Sequence, residues 1–169
     1  MSLTRATALQ HAAMAGRGSN TDLEALLRGM LAVGRVAVGD AAYTVLPGNS
    51  GKPHLVANVS ADRTFTLPSP VDGLDFEFIA QVGAADGHDW IFTTGSDTNY
   101  FVGGIVHLDN DAVGAGVEVV VVAPDGNSNS KLQINLPAGG TRVRFICDGT
   151  LWTVSGFAVS TTAPAFADQ

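Results

Sequence analysis

The chain has 169 residues and a formal net charge of −7; only 15% of the residues are charged, 46% are hydrophobic and 20 are glycine. This length fits one globular domain with a short appended arm, and the acidic surface argues against nucleic-acid binding because it repels a phosphate backbone. Abundant glycine with few charges favours short strands joined by tight turns over a helical bundle.

Residues 1–34 are predicted to form an N-terminal arm that contains one amphipathic helix. Thr21-Asp22-Leu23-Glu24 has the form of a capping box, in which the Thr hydroxyl and the Glu carboxylate satisfy backbone donors, and Gly34 fits a helix stop. The apolar residues that follow share one helical face: Leu23, Leu26, Leu27, Met30 and Leu31. A helix of about twelve residues is marginal alone, so this stripe should be buried against the chain's own β-domain or against a neighbouring subunit.

The N-terminal stretch does not resemble a targeting or membrane segment. Arg5 and Arg17 interrupt it, which predicts no signal peptide. Residues 26–38 carry Arg28 and Arg35 and are too few to span a bilayer. We therefore expect a soluble protein made in a cytoplasm, with no membrane partner.

Residues 35–160 are predicted to form an antiparallel β-domain, so that the fold is mainly β: a single β-sandwich or barrel-like domain with a short N-terminal helical arm. Val117-Glu118-Val119-Val120-Val121-Val122 is nearly all β-branched, which is typical of a strand buried on both faces. Pro124-Asp125-Gly126-Asn127 predicts a turn, and Asp148-Gly149 predicts a hairpin. Residues 161–169 lack periodicity and are predicted to be an extended C-terminal tail.

A short sequence pattern occurs twice in this domain. In each, a strand ends at Leu-Pro, a glycine turn follows, and a second strand begins: Thr66-Leu67-Pro68 with Gly73 and Phe76–Ile79, and Asn135-Leu136-Pro137 with Gly139-Gly140 and Val143–Ile146. Two copies are too few for a solenoid. The repeated pattern predicts two similar hairpins on opposite sides of one sandwich or barrel.

The densest titratable residues are His88-Asp89 and the set His107, Asp109 and Asp111. On a strand, the last three would share one face and could hold a metal ion, which is the basis of an alternative hypothesis of a small metal-dependent enzyme. The segment 109–116 has a turn-like composition that would separate them, so solvated carboxylates are favoured.

No other pattern of catalytic chemistry is present. The chain lacks a nucleophile elbow, a dinucleotide fingerprint and a phosphate-binding loop. Cys147, the one cysteine, lies in an apolar run and is predicted to be a buried thiol. The sequence therefore predicts a protein that is not an enzyme, with no catalytic residues, no metal site and no cofactor.

Trp90 and Tyr100 allow a second alternative. An aromatic ring can stack on a sugar, although an isolated Trp in a β-domain usually belongs to the core. Carbohydrate binding by these two residues is kept as the alternative.

Two blocks resemble segments of tailed-bacteriophage virion structural proteins. One is Thr66-Leu67-Pro68 with Gly73-Leu74-Asp75-Phe76-Glu77-Phe78-Ile79, in which a strand ending in Leu-Pro runs through a glycine turn into a strand with alternating aromatics. The other is the closing strand Asp148-Gly149-Thr150-Leu151-Trp152-Thr153-Val154-Ser155-Gly156. The resemblance covers residues 45–160 and is to capsid decoration (cement) proteins, head fibres and parts of tail fibres.

This resemblance implies a decoration protein on the outer surface of an assembled phage head, which it stabilises as a homotrimer. Its partners would be the major capsid protein lattice and its own copies, and the helical stripe of the arm would be the candidate capsid contact. The alternative is a head-fibre or tail-fibre receptor-binding domain that recognises host surface carbohydrate.

Overall fold

The computed structural model describes residues 34–81, 87–110 and 119–169, and Arg35–Gln169 forms one compact unit. Within the described residues there are thirteen strands and a 3₁₀ turn at Pro47–Asn49. The strands are β1 (Val36–Val38), β2 (Tyr43–Thr44), β3 (Pro53–Val56), β4 (Arg63–Thr66), β5 (Asp75–Ala80), β6 (Trp90–Thr93), β7 (Phe101–Gly103), β8 (Ile105–Asp109), β9 (Val119–Val122), β10 (Lys131–Ile134), β11 (Arg142–Cys147), β12 (Trp152–Ser160) and β13 (Ala165–Ala167). The predicted helical arm lies outside the described residues, so it stays a prediction.

The strands form two sheets that pack face to face. Sheet A has the order β1-β3-β5-β11-β12-β8-β9, with β7 also paired to β12, and sheet B has the order β13-β10-β6-β4-β2. Rings from both sheets meet between them: Phe78 of β5 lies 4.9 Å from Phe92 of β6, and Phe92 lies 4.9 Å from Phe145 of β11. The predicted mainly β, sandwich-like fold is confirmed.

Parallel pairing is the main departure from the predicted antiparallel domain. Of the eleven strand pairings in the described residues, six are parallel and five are antiparallel. From β1 to β6 the chain alternates between sheets A and B, and each strand runs parallel to the strand two positions earlier. The antiparallel prediction is therefore wrong, because these connections cross between sheets without a helix and use the same turn residues as hairpins.

The two segments that share the repeated Leu-Pro and glycine pattern connect one sheet to the other. One runs from β4 in sheet B to β5 in sheet A, and the other runs from β10 in sheet B to β11 in sheet A. The second strands of the two segments are neighbours in sheet A, where Phe78 pairs with Val143. The prediction of two hairpins on opposite sides is wrong, since a hairpin joins adjacent strands of one sheet.

The turns form where the sequence predicts them. Cys147 pairs with Trp152 across the β11–β12 hairpin, and Gly149 between them has a φ of 96°. The Asp148 carboxylate accepts hydrogen bonds from the following backbone N–H groups, which lowers the pKa of Asp148. The segment predicted as a tail, 161–169, contributes β13, in which Phe166 pairs with Leu132 of β10.

Aromatic side chains that alternate inward from both sheets are the largest members of the core, which also contains buried aliphatic residues. The largest buried ones are Trp90, Trp152, Phe65, Phe76, Phe78, Phe92, Phe101 and Phe145. Cys147 is 2% exposed, as the sequence predicts for a buried thiol. This close-packed interior makes the sandwich a rigid support for its two outer faces.

Two glycines let backbones approach closely beside the centre of sheet A. A Cβ at Gly156 of β12 would lie 2.0 Å from the Arg142 carbonyl oxygen, and one at Gly103 of β7 would lie 2.4 Å from the Val154 carbonyl oxygen. Gly156 also has a φ of 137°, a conformation that side chains disfavour. These positions require glycine, and Gly156 fixes the backbone directly before Phe157.

Candidate interaction surface

The metal ligands of the alternative hypothesis, His107, Asp109 and Asp111, cannot all be placed in the described residues. His107 is 4% exposed, and its Nε2 lies 3.0 Å from the backbone carbonyl oxygen of Ser160. Asp111 lies outside the described residues. Where the chain is described, no cluster of three His, Cys, Asp or Glu side chains could hold a metal ion.

Asp89, the other densely charged position, has a structural role. Its two carboxylate oxygens accept hydrogen bonds from Gln133 Nε2 at 2.7 Å and from the Leu136 backbone N–H at 3.0 Å. Leu136 has a φ of 42°, a left-handed conformation that is uncommon for a side chain of this type. Asp89 therefore holds the turn that follows β10.

Trp90 belongs to the core. It is 0% exposed and packs edge-on against Phe65, with ring centroids 6.0 Å apart. A sugar ring cannot stack on a side chain with no accessible face, which corrects the carbohydrate alternative for Trp90. Tyr100 is half-buried and its backbone carbonyl accepts a hydrogen bond from Trp152 N–H.

The five candidate capsid contacts predicted on the helical arm cannot be placed. They all lie outside the described residues: Leu23, Leu26, Leu27, Met30 and Leu31. Their role stays a prediction.

A charged cleft of about 210 Å³ lies on the outer face of sheet A, lined in part by β5 and β11. Arg144 pairs with Asp75 through two hydrogen bonds of 2.8 and 2.6 Å, and Arg142 pairs with Glu77. Hydrogen bonds to these carboxylates raise the pKa of both guanidinium groups. Because each of these cations has a carboxylate partner, these four residues carry no net charge and do not offer a free anion site.

The same outer face becomes apolar towards β9. The strand registers pair Phe157 of β12 with Val106 of β8 and Val106 with Val121 of β9, so these side chains point to one side. We call the resulting surface the apolar face; its residues are Val106, Leu108, Val119, Val121, Phe157 and Val159. Val119, Val121 and Phe157 are 59%, 70% and 50% exposed, whereas the other three are half-buried. Clustered exposure of apolar side chains is a feature of surfaces that bind proteins, membranes or ligands.

The outer face of sheet B provides an internal comparison. Its strand positions are mostly polar: Thr44, Thr64, Thr66, Thr93, Lys131 and Gln133, with Ile91 as the large apolar residue. The hydroxyls of Thr66 and Thr93 lie 3.3 Å apart across two strands. Sheet B therefore has the outer face of a solvated sheet, whereas the apolar face of sheet A does not have this character.

The apolar face is not among the features that the sequence predicts. The valine run was predicted to be buried on both sides, but β9 is an edge strand with exposed Val119 and Val121, so that prediction is wrong. An unbroken valine run has no alternation that would separate a central strand from an exposed edge strand. Phe157 does carry a signal, since it occupies the outward position that Thr153 and Ser155 occupy earlier in β12.

Comparisons with protein families and with curated proteins identify no related protein. No protein-family model matches the chain, and no curated protein matches it either. Among the described residues, no helix has the length and hydrophobicity needed to cross a bilayer.

Proposed function

We propose that this protein is a non-enzymatic structural module that binds other protein subunits through the apolar face of sheet A. The observation that carries this proposal is the exposure of Val119, Val121 and Phe157 together on a rigid sheet. The specific role we propose is that of a decoration (cement) protein on the outside of a tailed-phage capsid, which rests on the resemblance of residues 45–160 to phage virion proteins.

The exposed apolar area supplies part of the free energy that docking needs, and other contacts of the interface must supply the rest. The exposed fractions of Val119, Val121 and Phe157 amount to about 1.8 side chains, and fully burying one such side chain contributes about 1.5–3 kcal/mol. Covering these three residues therefore contributes about 3–5 kcal/mol per copy before the cost of association is subtracted. A module that binds the assembled lattice but not the separated subunits shifts the equilibrium towards the intact shell.

The charge distribution favours a protein partner. The chain carries a formal net charge of −7, while the apolar face has no charged residue. The neighbouring cleft pairs two carboxylates with two guanidinium groups. Of the described cations that line the cleft, the two guanidinium groups are paired with carboxylates, and Lys52 donates a hydrogen bond to Asn49 Oδ1. One lysine is a small target for a nucleic acid, whereas an apolar protein surface would meet no charge on the apolar face.

The proposal is tested by binding to shells assembled from the major capsid protein encoded in the same genome. Wild-type protein should co-sediment with these shells at a fixed stoichiometry and raise the temperature at which they fall apart. Phe157→Asp should abolish both effects, because docking would then bury an unpaired charge. Thr93→Asp, on the outer face of sheet B, is the matched control and should bind as the wild type does.

Circular dichroism and thermal melting must show that both variants are folded. Equal binding by the two variants would move the contact away from the apolar face. Failure of the wild-type protein to bind any shell would remove the decoration role.

A further inference from the structure

Among the described strands, the two sheet orders end in β1, β9, β2 and β13, while β7 pairs only with β12 beside the main path of sheet A. Three of the four end strands carry features that discourage pairing with another chain. β2 has only two residues, β13 begins directly after Pro164, and the three-residue β1 is preceded by the exposed Arg35. Very short strands, prolines and charges are the usual protections of sheet edges. β9 is the longest of the four and has no proline or charge within it, since it consists of four consecutive valines. Glu118 precedes it in the sequence, and its outer edge pairs with no described strand.

The register restricts how β9 could pair with itself. Val119 and Val121 point to the outer side of sheet A, while Val122 packs against the core. Directly opposed residues of two antiparallel strands lie on the same side of the sheet. Two copies of β9 can therefore meet with a two-fold axis at Val120 or at Val121, since a shift by one residue would place an outward valine opposite an inward one.

Self-association through this edge would bring no charged strand residues together. Two copies with a formal charge of −7 each repel one another over most of their surfaces. β9 and the apolar face beside it contain no charged side chain. The strand residues of β9 therefore add no repulsion to such a contact, and valine has one of the highest preferences for strand pairing.

We propose that two copies of this chain pair through β9, antiparallel about a two-fold axis, so that sheet A continues from one copy into the other. The pairing places Val119 and Val121 of one copy beside the same residues of its mate and joins the two apolar faces into one surface. This inference deepens the proposed function, and it gives a dimer where the resemblance to phage proteins implies a trimer.

The first test is the molar mass in solution, measured by light scattering or sedimentation over a range of concentrations. The wild-type chain should have twice the mass of one chain. Val121→Lys puts a charge on a residue that is 70% exposed, so it should leave the fold intact and weaken dimerisation at least ten-fold. Ala165→Lys, an exposed position on the edge strand β13, is the matched control and should remain dimeric.

The second test is cross-linking through the two-fold axis. A cysteine on the axis faces its own copy at the Cα separation that a disulfide needs, about 4.4–6.8 Å. With oxidised glutathione, Val120→Cys or Val121→Cys should form a covalent dimer faster than Ala165→Cys. The native Cys147 is buried and should not contribute.

A wild-type mass of one chain or of three chains overturns the inference. So does a Val121→Lys variant that dimerises as tightly as the wild type, or cross-linking no faster than that of Ala165→Cys. Shell binding by the same samples separates this result from the proposed function. A monomer that binds shells refutes only the pairing through β9. A dimer that binds no shells refutes only the decoration role.

Discussion

Replacing Gly156 by alanine should be the most damaging small substitution in sheet A. The new Cβ would lie 2.0 Å from the Arg142 carbonyl oxygen and 3.1 Å from the Val143 Cα, so β11 and β12 would have to separate by about 1 Å. We assign about 1–3 kcal/mol to the disfavoured φ and a similar amount to two weakened backbone hydrogen bonds. The sum of about 2–6 kcal/mol is a large share of a typical stability of about 5–15 kcal/mol.

Thermal melting of three glycine variants measures this cost. For a domain of this size the melting temperature of Gly156→Ala should fall by roughly 5–25 °C. Gly51 has a φ of 78° but nothing within 4 Å of a new Cβ, so Gly51→Ala should cost only the conformational strain, about 1 kcal/mol. Gly48 has neither a positive φ nor a close neighbour, and Gly48→Ala should be neutral. If Gly156→Ala melts within a few degrees of Gly51→Ala, the close approach of β11 and β12 does not constrain the sheet.

Three further predictions concern buried and turn residues. His54 is buried 4.8 Å from the Phe78 ring with no well-formed hydrogen bond to either ring nitrogen in the described residues, and burial lowers its pKa from 6.5 despite weak opposition from nearby backbone groups. Because the folded state favours the neutral ring, the contribution of His54 to stability should be full above pH 6.5 and fall as the pH drops below that value. The urea midpoints at about pH 7.5 and 5.5 should therefore differ less in His54→Phe than in the wild type. Equal differences in the two proteins would contradict this. The hydrogen bond from the Ser128 side chain, with backbone N–H groups of the same turn, lowers the pKa of Asp125 to about 2. Asp125→Ala should therefore melt a few degrees lower than the wild type at neutral pH, and the gap should close as the pH falls from about 4 towards 2; a gap that does not change with pH would show that the carboxylate charge is not involved. Both tryptophans are 0% exposed, so acrylamide should quench their fluorescence weakly until the protein unfolds, and strong quenching of the folded protein would place at least one of them at the surface.

Local features of the fold follow from the sequence because they depend on neighbouring residues. The alternation in β11 and β12 separates inward Phe145 and Trp152 from outward polar positions, and Asp148-Gly149 marks the hairpin between them. Strand partners do not follow in the same way. β1 and β3 pair in parallel although Val36 and His54 are 18 positions apart and the intervening chain visits the other sheet. No local pattern distinguishes such a crossing from a hairpin.

In the apolar face, too, some features follow from the local sequence and others depend on long-range strand pairing. Phe157 breaks the polar outward phase of β12, so its exposure could have been inferred from alternation alone. The exposure of β9 could not, because Val119 and Val120 are the same residue type with different surroundings. Whether a valine run lies in the middle of a sheet or at its edge depends on where β8 and β12 are placed, and that is decided by long-range pairing.

The position of β12 in sheet A has a consequence for biosynthesis. This strand lies between β11 and β8, yet it is the last but one to leave the ribosome. Until it emerges, the hairpin of β8 and β9 has no sheet to join, and at about 5–20 residues per second the nascent valine strand waits roughly 2–8 s for residues 152–160. A chain that terminates before β12 would leave this strand permanently without its support, and we expect such truncated products to be captured by chaperones or to aggregate.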